Sequence, residues 1–278
     1  MNRNIQGKVI VITGAGGVLC SEFARHIAAE GGKVALLNRS EDKIIKIAKE
    51  IQALGGIAKP YQTDVLDTKR LKEVRQQIIE ELGPCDILIN GAGGNNDRAN
   101  TAKEFLEMED LDSDAKTFAS LLEEDIEAVF RLNYMGTLLP TQVFARDMAG
   151  RKGCCILNVS SMASYRPLTK VLAYSGAKAA VNNLTQWLAV HYSHVGIRVN
   201  ALAPGFFATD QNRTLLFDAQ GNLSARSHKI INNTPMGRFG DPAELLGTVM
   251  YLIDSEASGF VTGVVIPVDG GFAAYSGV

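Results

Sequence analysis

The stretch KVIVITGAGGVLCSEFA, Lys8 to Ala24, decides the fold. Its first half is a short apolar, β-branched run. Its second half carries apolar residues at 19, 23, 24, 27 and 28, the spacing of one helix face. A glycine-rich turn joins them. The free N–H groups where such a helix starts can hold a phosphate. Yet the glycines fall at 14, 16 and 17. The pattern G-x-G-x-x-G would need glycine at Leu19, and T-G-x-x-x-G-x-G would need it at Val18 and Cys20. The turn alone is compatible with a phosphate loop or with a plain strand-to-helix turn.

The same alternation recurs along the chain. Strands are expected at 8–13, 33–38, 58–64, 85–90, 153–160, 197–205 and 263–269. Helices are expected at 19–31, 41–54, 68–82, 121–149, 174–194 and 242–253. Short apolar strands separated by helices imply an α/β fold: a doubly wound, seven-stranded parallel sheet with helices on both faces. No linker, repeat or low-complexity tract divides the chain, so 1–278 reads as a single domain, with insertions at about 94–120 and 206–236. In this architecture ligands bind beyond the carboxyl ends of the strands.

Bulk properties narrow the function. Hydrophobic residues make up 46% of the 278, enough for a large core, and the net charge is −2 without a long basic block. Nucleic acid and acidic membrane surfaces are therefore not expected partners. No apolar run approaches the ~20 residues of a membrane-spanning helix. The N-terminus lacks a secretory layout, so a cytoplasmic location is expected. The four cysteines (20, 85, 154, 155) and four histidines (26, 191, 194, 228) show no metal spacing, and no metal is expected. Cys20, in the turn, is either a redox group or a packed thiol.

Two further segments carry chemistry. The second strand ends in Asn38-Arg39, where a carboxylate would favour NAD through the adenine ribose. A neutral residue followed by arginine tolerates, and can pair with, the 2′-phosphate of NADP. The cofactor expectation is thus NADP or NAD, with a lean to NADP. Further along, Tyr174 and Lys178 are four residues apart on an expected helix and share a face. A lysine beside a phenol stabilises the phenolate and pulls the tyrosine pKa down towards acid–base range. Ser161, just past the fifth strand, can hold a substrate oxygen beside that phenol.

Together these pieces resemble the short-chain dehydrogenase/reductase family, a Rossmann-type fold. The resemblance runs from Gly7 to Gly271. It rests on TGAGG (13–17), TDV (63–65), NGAG (90–93), LNYMGT (132–137), NVSS (158–161), YSGAK (174–178), RVNALAPGFFAT (198–209) and VTGVVIPVDGG (261–271). It implies Tyr174 as acid or base, and Lys178 as its partner on the nicotinamide ribose. It implies Ser161 on the reacting oxygen, and Asn133 holding a relay water. It implies a dinucleotide held by Thr13, Gly14, Gly16, Gly17, Val18, Leu19, Asn38, Arg39, Asp64, Val65, Asn90, Ala92 and Gly93. Pro204, Gly205, Phe207 and Thr209 would surround the nicotinamide, beside Tyr174 and Lys178. The chain departs from the family pattern at Val18 and Cys20, where glycines are usual, and at Gly91, where asparagine is more frequent. Val18 must point away from the pyrophosphate, and Cys20 is small enough for close helix–sheet packing.

The features GAGGVLC, NGAGGNN and LNYMGTLLPTQVFARDM resemble those of members that interconvert D-mannonate and D-fructuronate. Asn95, Asn96 and Arg166 are the candidates for a sugar-acid substrate. Reductases of other keto-sugars or gluconate-type acids are the alternative, then 3-oxoacyl-carrier-protein reductases, and in a different class a non-catalytic dinucleotide sensor. The resemblance also implies a homotetramer, with the helix carrying Trp187 packed either across subunits or into its own core.

Overall fold

The computed structural model describes residues 5–208, 216–218 and 220–277. Seven parallel strands form one sheet: β1 (Val9–Thr13), β2 (Lys33–Asn38), β3 (Ile57–Gln62), β4 (Ile87–Asn90), β5 (Cys155–Val159), β6 (Arg198–Pro204) and β7 (Val265–Val268). Their order is β3-β2-β1-β4-β5-β6-β7. The order reverses between β1 and its two neighbours, β2 and β4. This is the topological switch point, where a crevice opens beyond the strand ends. In register, Thr13 lies beside Leu37 on β2 and beside Asn90 on β4.

The central strands β1, β2, β4, β5 and β6 are buried on both faces, and the edge strands β3 and β7 are partly exposed. Ile10 and Ile12 point into one core layer with Phe23, Ile27, Ile44 and Ile51. These belong to α1 (Val18–Ala29) and α2 (Glu41–Ala53), which α8 (Leu246–Ile253) joins. Val9 and Val11 point the other way, against α3 (Thr68–Glu81), α5 (Gly136–Met148) and α6 (Leu172–His191). The two-residue period of a strand thus sorts one sequence into two cores.

Two stretches differ from expectation. The single helix expected over 121–149 is α4 (Glu123–Phe130) and α5 joined by a π-helical turn, Arg131–Met135. Helical periodicity does not register one inserted residue, but the insertion turns Asn133 inward, fully buried. Second, the insertion after β6 contains α7 (Ala225–Asn232), which its polar sequence hid. Ser224 caps it, accepting from Ser227 N. The remaining boundaries agree within a few residues.

Candidate active site

The carboxyl ends of β1, β2 and β4 build a crevice of about 260 Å³. Its floor is the glycine turn, Gly14, Gly16 and Gly17, and its far wall is Gly91–Gly93. Gly14 has φ +65°, a left-handed conformation that favours glycine, and a side chain there would lie 2.8 Å from the Ala92 backbone. The two loops therefore touch. Thr13, fully buried, ties them: its Oγ1 accepts from Gly91 N (3.1 Å) and Ala92 N (3.2 Å).

A pyrophosphate fits this turn. Helix α1 begins after Gly17 without a side-chain cap, so its first amides carry no side-chain acceptor. Val18 and Leu19 start that helix, and neither side chain lines the crevice. Leu19 packs on the core instead. At the end of β2 the crevice is lined by Asn38 and Arg39. Asn38 Nδ2 donates to Ser40 O (3.1 Å). Val65 also lines the crevice, while Asp64 turns back to accept from Leu66 N (2.9 Å).

The structure adds residues that sequence reasoning missed: Ser40, Lys43, Thr63 and Leu132 also line the crevice. Lys43 sits in the first turn of α2, four residues beyond Arg39. Among the described residues, the Arg39 and Lys43 side chains have no ion pair or hydrogen bond. Two unpaired cations thus flank the crevice beyond the end of β2.

Asn90 stands apart from the crevice. It is buried, and its Nδ2 donates to Thr141 Oγ1 and Asn158 Oδ1, both at 2.9 Å. Its Oδ1 has no partner. Its visible work is to pin β4 to β5 and α5.

The opposite end of the crevice reaches the reacting groups. A side chain on Gly93 would lie 2.6 Å from Asn133 Oδ1 and 3.2 Å from Lys178 Nζ. The π-helical turn supplies Asn133, whose Nδ2 donates to Gly94 O and Val129 O, both at 2.8 Å. Its Oδ1 accepts from Gly94 N (3.1 Å). Lys178, on α6, donates to Val159 O (2.8 Å), and its Nζ stands 5.7 Å from the centre of the Tyr174 ring. Ser161 caps a short 3₁₀ turn, accepting from Ala163 N, and stands near enough to Tyr174 to favour its phenolate.

Burial governs both titrating groups. It pushes the Tyr174 phenol above its ordinary range, and the Ser161 hydroxyl nearby opposes it. It pulls Lys178 down to about 8, opposed by the Cys20 thiol. The sequence led us to expect Lys178 to lower the phenol. In this site desolvation outweighs any pull from Lys178, whose Nζ stands 5.7 Å from the ring centre. A raised phenol stays protonated near neutrality and can donate.

The outer candidates are spread over the mouth. Asn95 Nδ2 donates to Asn100 Oδ1 (3.2 Å), and Asn96 Oδ1 accepts from Arg98 N (3.0 Å), so both serve their own turn. Arg166 Nη1 donates to Tyr275 O (2.5 Å). Gly205, following Pro204, donates to Val268 O (2.9 Å), and Phe207 is buried in a bridge with Gly240. Thr209 lies outside the described residues. A salt bridge of 2.7 Å from Lys229 on α7 to Glu104 joins the two insertions.

Residues 8–219 match the short chain dehydrogenase family model. A solved structure from Haemophilus influenzae, provisionally called a D-mannonate oxidoreductase and holding bound NAD, is 57% identical, with a TM-score of 0.96. The match covers 100% of this chain and 99% of that one. An uncharacterized oxidoreductase, UxuB, of Bacillus subtilis is 49% identical over 100% of this chain and 99% of its own length. A gluconate 5-dehydrogenase structure from Burkholderia cenocepacia, in complex with NADP and tartrate, is 29% identical with a TM-score of 0.83, covering 98% and 97%. The chain belongs to the short-chain dehydrogenase/reductase family and is an NAD(P)-dependent oxidoreductase.

Proposed function

We propose that this enzyme interconverts a sugar-acid alcohol and its ketone, with D-mannonate and D-fructuronate as the pair. What carries the reading is its likeness, at 57% identity across the full chain, to the Haemophilus protein, with the 94–120 insertion included in the match. The likeness to a gluconate 5-dehydrogenase supports other sugar acids as the second reading.

In the proposed reaction the dinucleotide supplies or accepts the hydride. In the direction of reduction Tyr174 gives its phenolic proton to the carbonyl oxygen, which Ser161 also bonds. The proton is replaced through Lys178 and the neighbourhood of Asn133. Gly14, Gly16, Gly17 and the start of α1 hold the pyrophosphate, with Ala92 and Gly93 opposite. Pro204, Gly205, Phe207 and Thr209 are assigned to the nicotinamide. Arg39 and Lys43 favour acceptance of NADP as well as the NAD held by the relative. Asn95, Asn96 and Arg166 are assigned to the substrate, and each would exchange an internal hydrogen bond for one to the sugar acid.

We place the enzyme, as one domain, in the cytoplasm; no helix among the described residues is long and apolar enough to cross a membrane. We assign it a homotetrameric state. Trp187 is 58% exposed on α6 and stacks on His191, so it is available to a subunit contact and is not core. The test is loss of reduced-nicotinamide absorbance on mixing the protein with D-fructuronate and NADH or NADPH. Rapid oxidation is the expected result. No oxidation with either coenzyme, while both bind, sinks the mannonate reading and leaves other keto-sugar acids.

A further inference from the structure

Two of the chain's departures from its family pattern meet in space. Cys20, on α1, is buried, and Gly91 sits at the end of β4. A side chain on Gly91 would overlap the Cys20 Sγ outright. The Cys20 Cβ would be 3.7 Å away, an ordinary contact. So on the helix side it is the sulfur that claims this volume. It fills the space beneath the 91–94 loop from the helix side, where a side chain at position 91 would fill it from the loop side.

We propose that Cys20 is a positioning residue, which together with Gly91 sets the height of the 91–94 loop over the coenzyme crevice. The loop has three attachments that make its height matter. Gly91 N and Ala92 N hang from Thr13 Oγ1. The phosphate turn touches it through Gly14, close to the Ala92 backbone. At its far end Gly94 is clamped on both backbone atoms by Asn133, and Gly93 leaves no room for a side chain beside Asn133 Oδ1 and Lys178 Nζ. The sulfur therefore supports a strip of backbone that borders the dinucleotide at one end and Lys178 at the other. Packed interiors transmit such a displacement, because they have no slack to absorb it.

The thiol acts here as a shaped apolar filler. Burial pushes its pKa up to about 12, so it is neutral, and the redox alternative finds no thiolate. Loss of the sulfur leaves a void under the loop. A side chain at 91 with the sulfur in place lifts the loop. Both changes together exchange one filler for another. One obstacle remains in that exchange, since the new side chain would lie 2.9 Å from Thr13 O. The β1 backbone must shift to relieve it, which is why the double variant is expected near wild type and not equal to it.

The experiment compares wild type, Cys20→Ala, Gly91→Ala and the double variant, all as full-length protein. The readouts are the Kd for NADH, from its fluorescence, across pH 6–9, and thermal melting without coenzyme. Neither needs a substrate, so the result stands apart from the sugar-acid reading. We expect Gly91→Ala to weaken NADH binding about tenfold or more and Cys20→Ala about threefold, with the double variant within about threefold of wild type. The pH midpoint of binding moves in Gly91→Ala, because the loop borders Lys178, and returns in the double variant. If Gly91→Ala does not fold, the double variant against Cys20→Ala still decides: equal or tighter binding supports the proposal. A double variant as impaired as Gly91→Ala overturns it, since Thr13 O is then the obstacle and the sulfur a bystander. Gly91→Ala that melts lower but keeps both its Kd and its pH midpoint also overturns the positioning role.

Discussion

Lys178→Met makes a sharp prediction because it trades function for stability in a pH-dependent way. In the folded protein Lys178 is buried and its pKa falls from 10.5 to about 8. That gap corresponds to roughly 3 kcal/mol of cost for keeping the ammonium charged in the fold. The sign follows from proton counting. Between pH 8 and 10.5 the unfolded chain binds more protons than the folded one, so the cost is full below about pH 8 and vanishes above about 10.5. Methionine fills the same volume without charge. It forfeits the hydrogen bond to Val159 O, about 1 kcal/mol. A net gain of about 2 kcal/mol at pH 7 should raise the melting temperature by about 4–8 °C. The assay is thermal unfolding of both proteins without coenzyme from pH 6 to 10.5. The gain should be largest below pH 8 and turn into a small loss near pH 10.5. A variant that is less stable at pH 7, or a difference flat in pH, refutes the argument. Turnover of the variant should fall about 100-fold or more, because the lysine serves the proton path.

Tyr174→Phe should lower turnover by about 10²–10⁴ while NADH binding survives, read by steady-state rates and fluorescence titration. The double change Arg39→Ala and Lys43→Ala should weaken NADPH binding about tenfold and leave NADH within about twofold, since a charge-assisted phosphate contact is lost only in the former. Asn133→Ala should destabilise the fold by about 2–4 kcal/mol in urea unfolding, because Gly94 N, Gly94 O and Val129 O all lose their partner together. Glu104→Gln should make the 94–120 insertion more susceptible to limited proteolysis without changing NADH binding, since Lys229 loses its charged partner there.

Much of this was legible in the chain. The strand β1 is apolar from Val9 to Ile12 and buried throughout, the helix α1 is apolar on one face, and these two periods cannot be exchanged. Once seven such strands alternate with helices, a parallel sheet covered on both faces follows. The Tyr174–Lys178 spacing also reads directly, because four residues span about one helical turn. The recessed parts did not read. The π-helical turn at Arg131–Met135 leaves the local pattern looking helical, yet it alone aims Asn133 at Gly94. Lys43 appeared as one more solvent-facing lysine in α2.

What the sequence determined by itself was whatever depends on near neighbours: element types, the glycine turn, the pairing of Tyr174 with Lys178. What only the tertiary structure decided were quantities that depend on groups far apart in the chain. Whether the phenol is raised or lowered depends on how much water its surroundings exclude, and that burial is assembled from several loops. Whether Cys20 is an aberrant phosphate-loop residue or a packing element depends on Gly91, which lies 71 positions away and where any side chain would enter the volume the sulfur fills. No period or spacing encodes such a meeting, because excluded volume is settled by the packed fold and not by the order of residues.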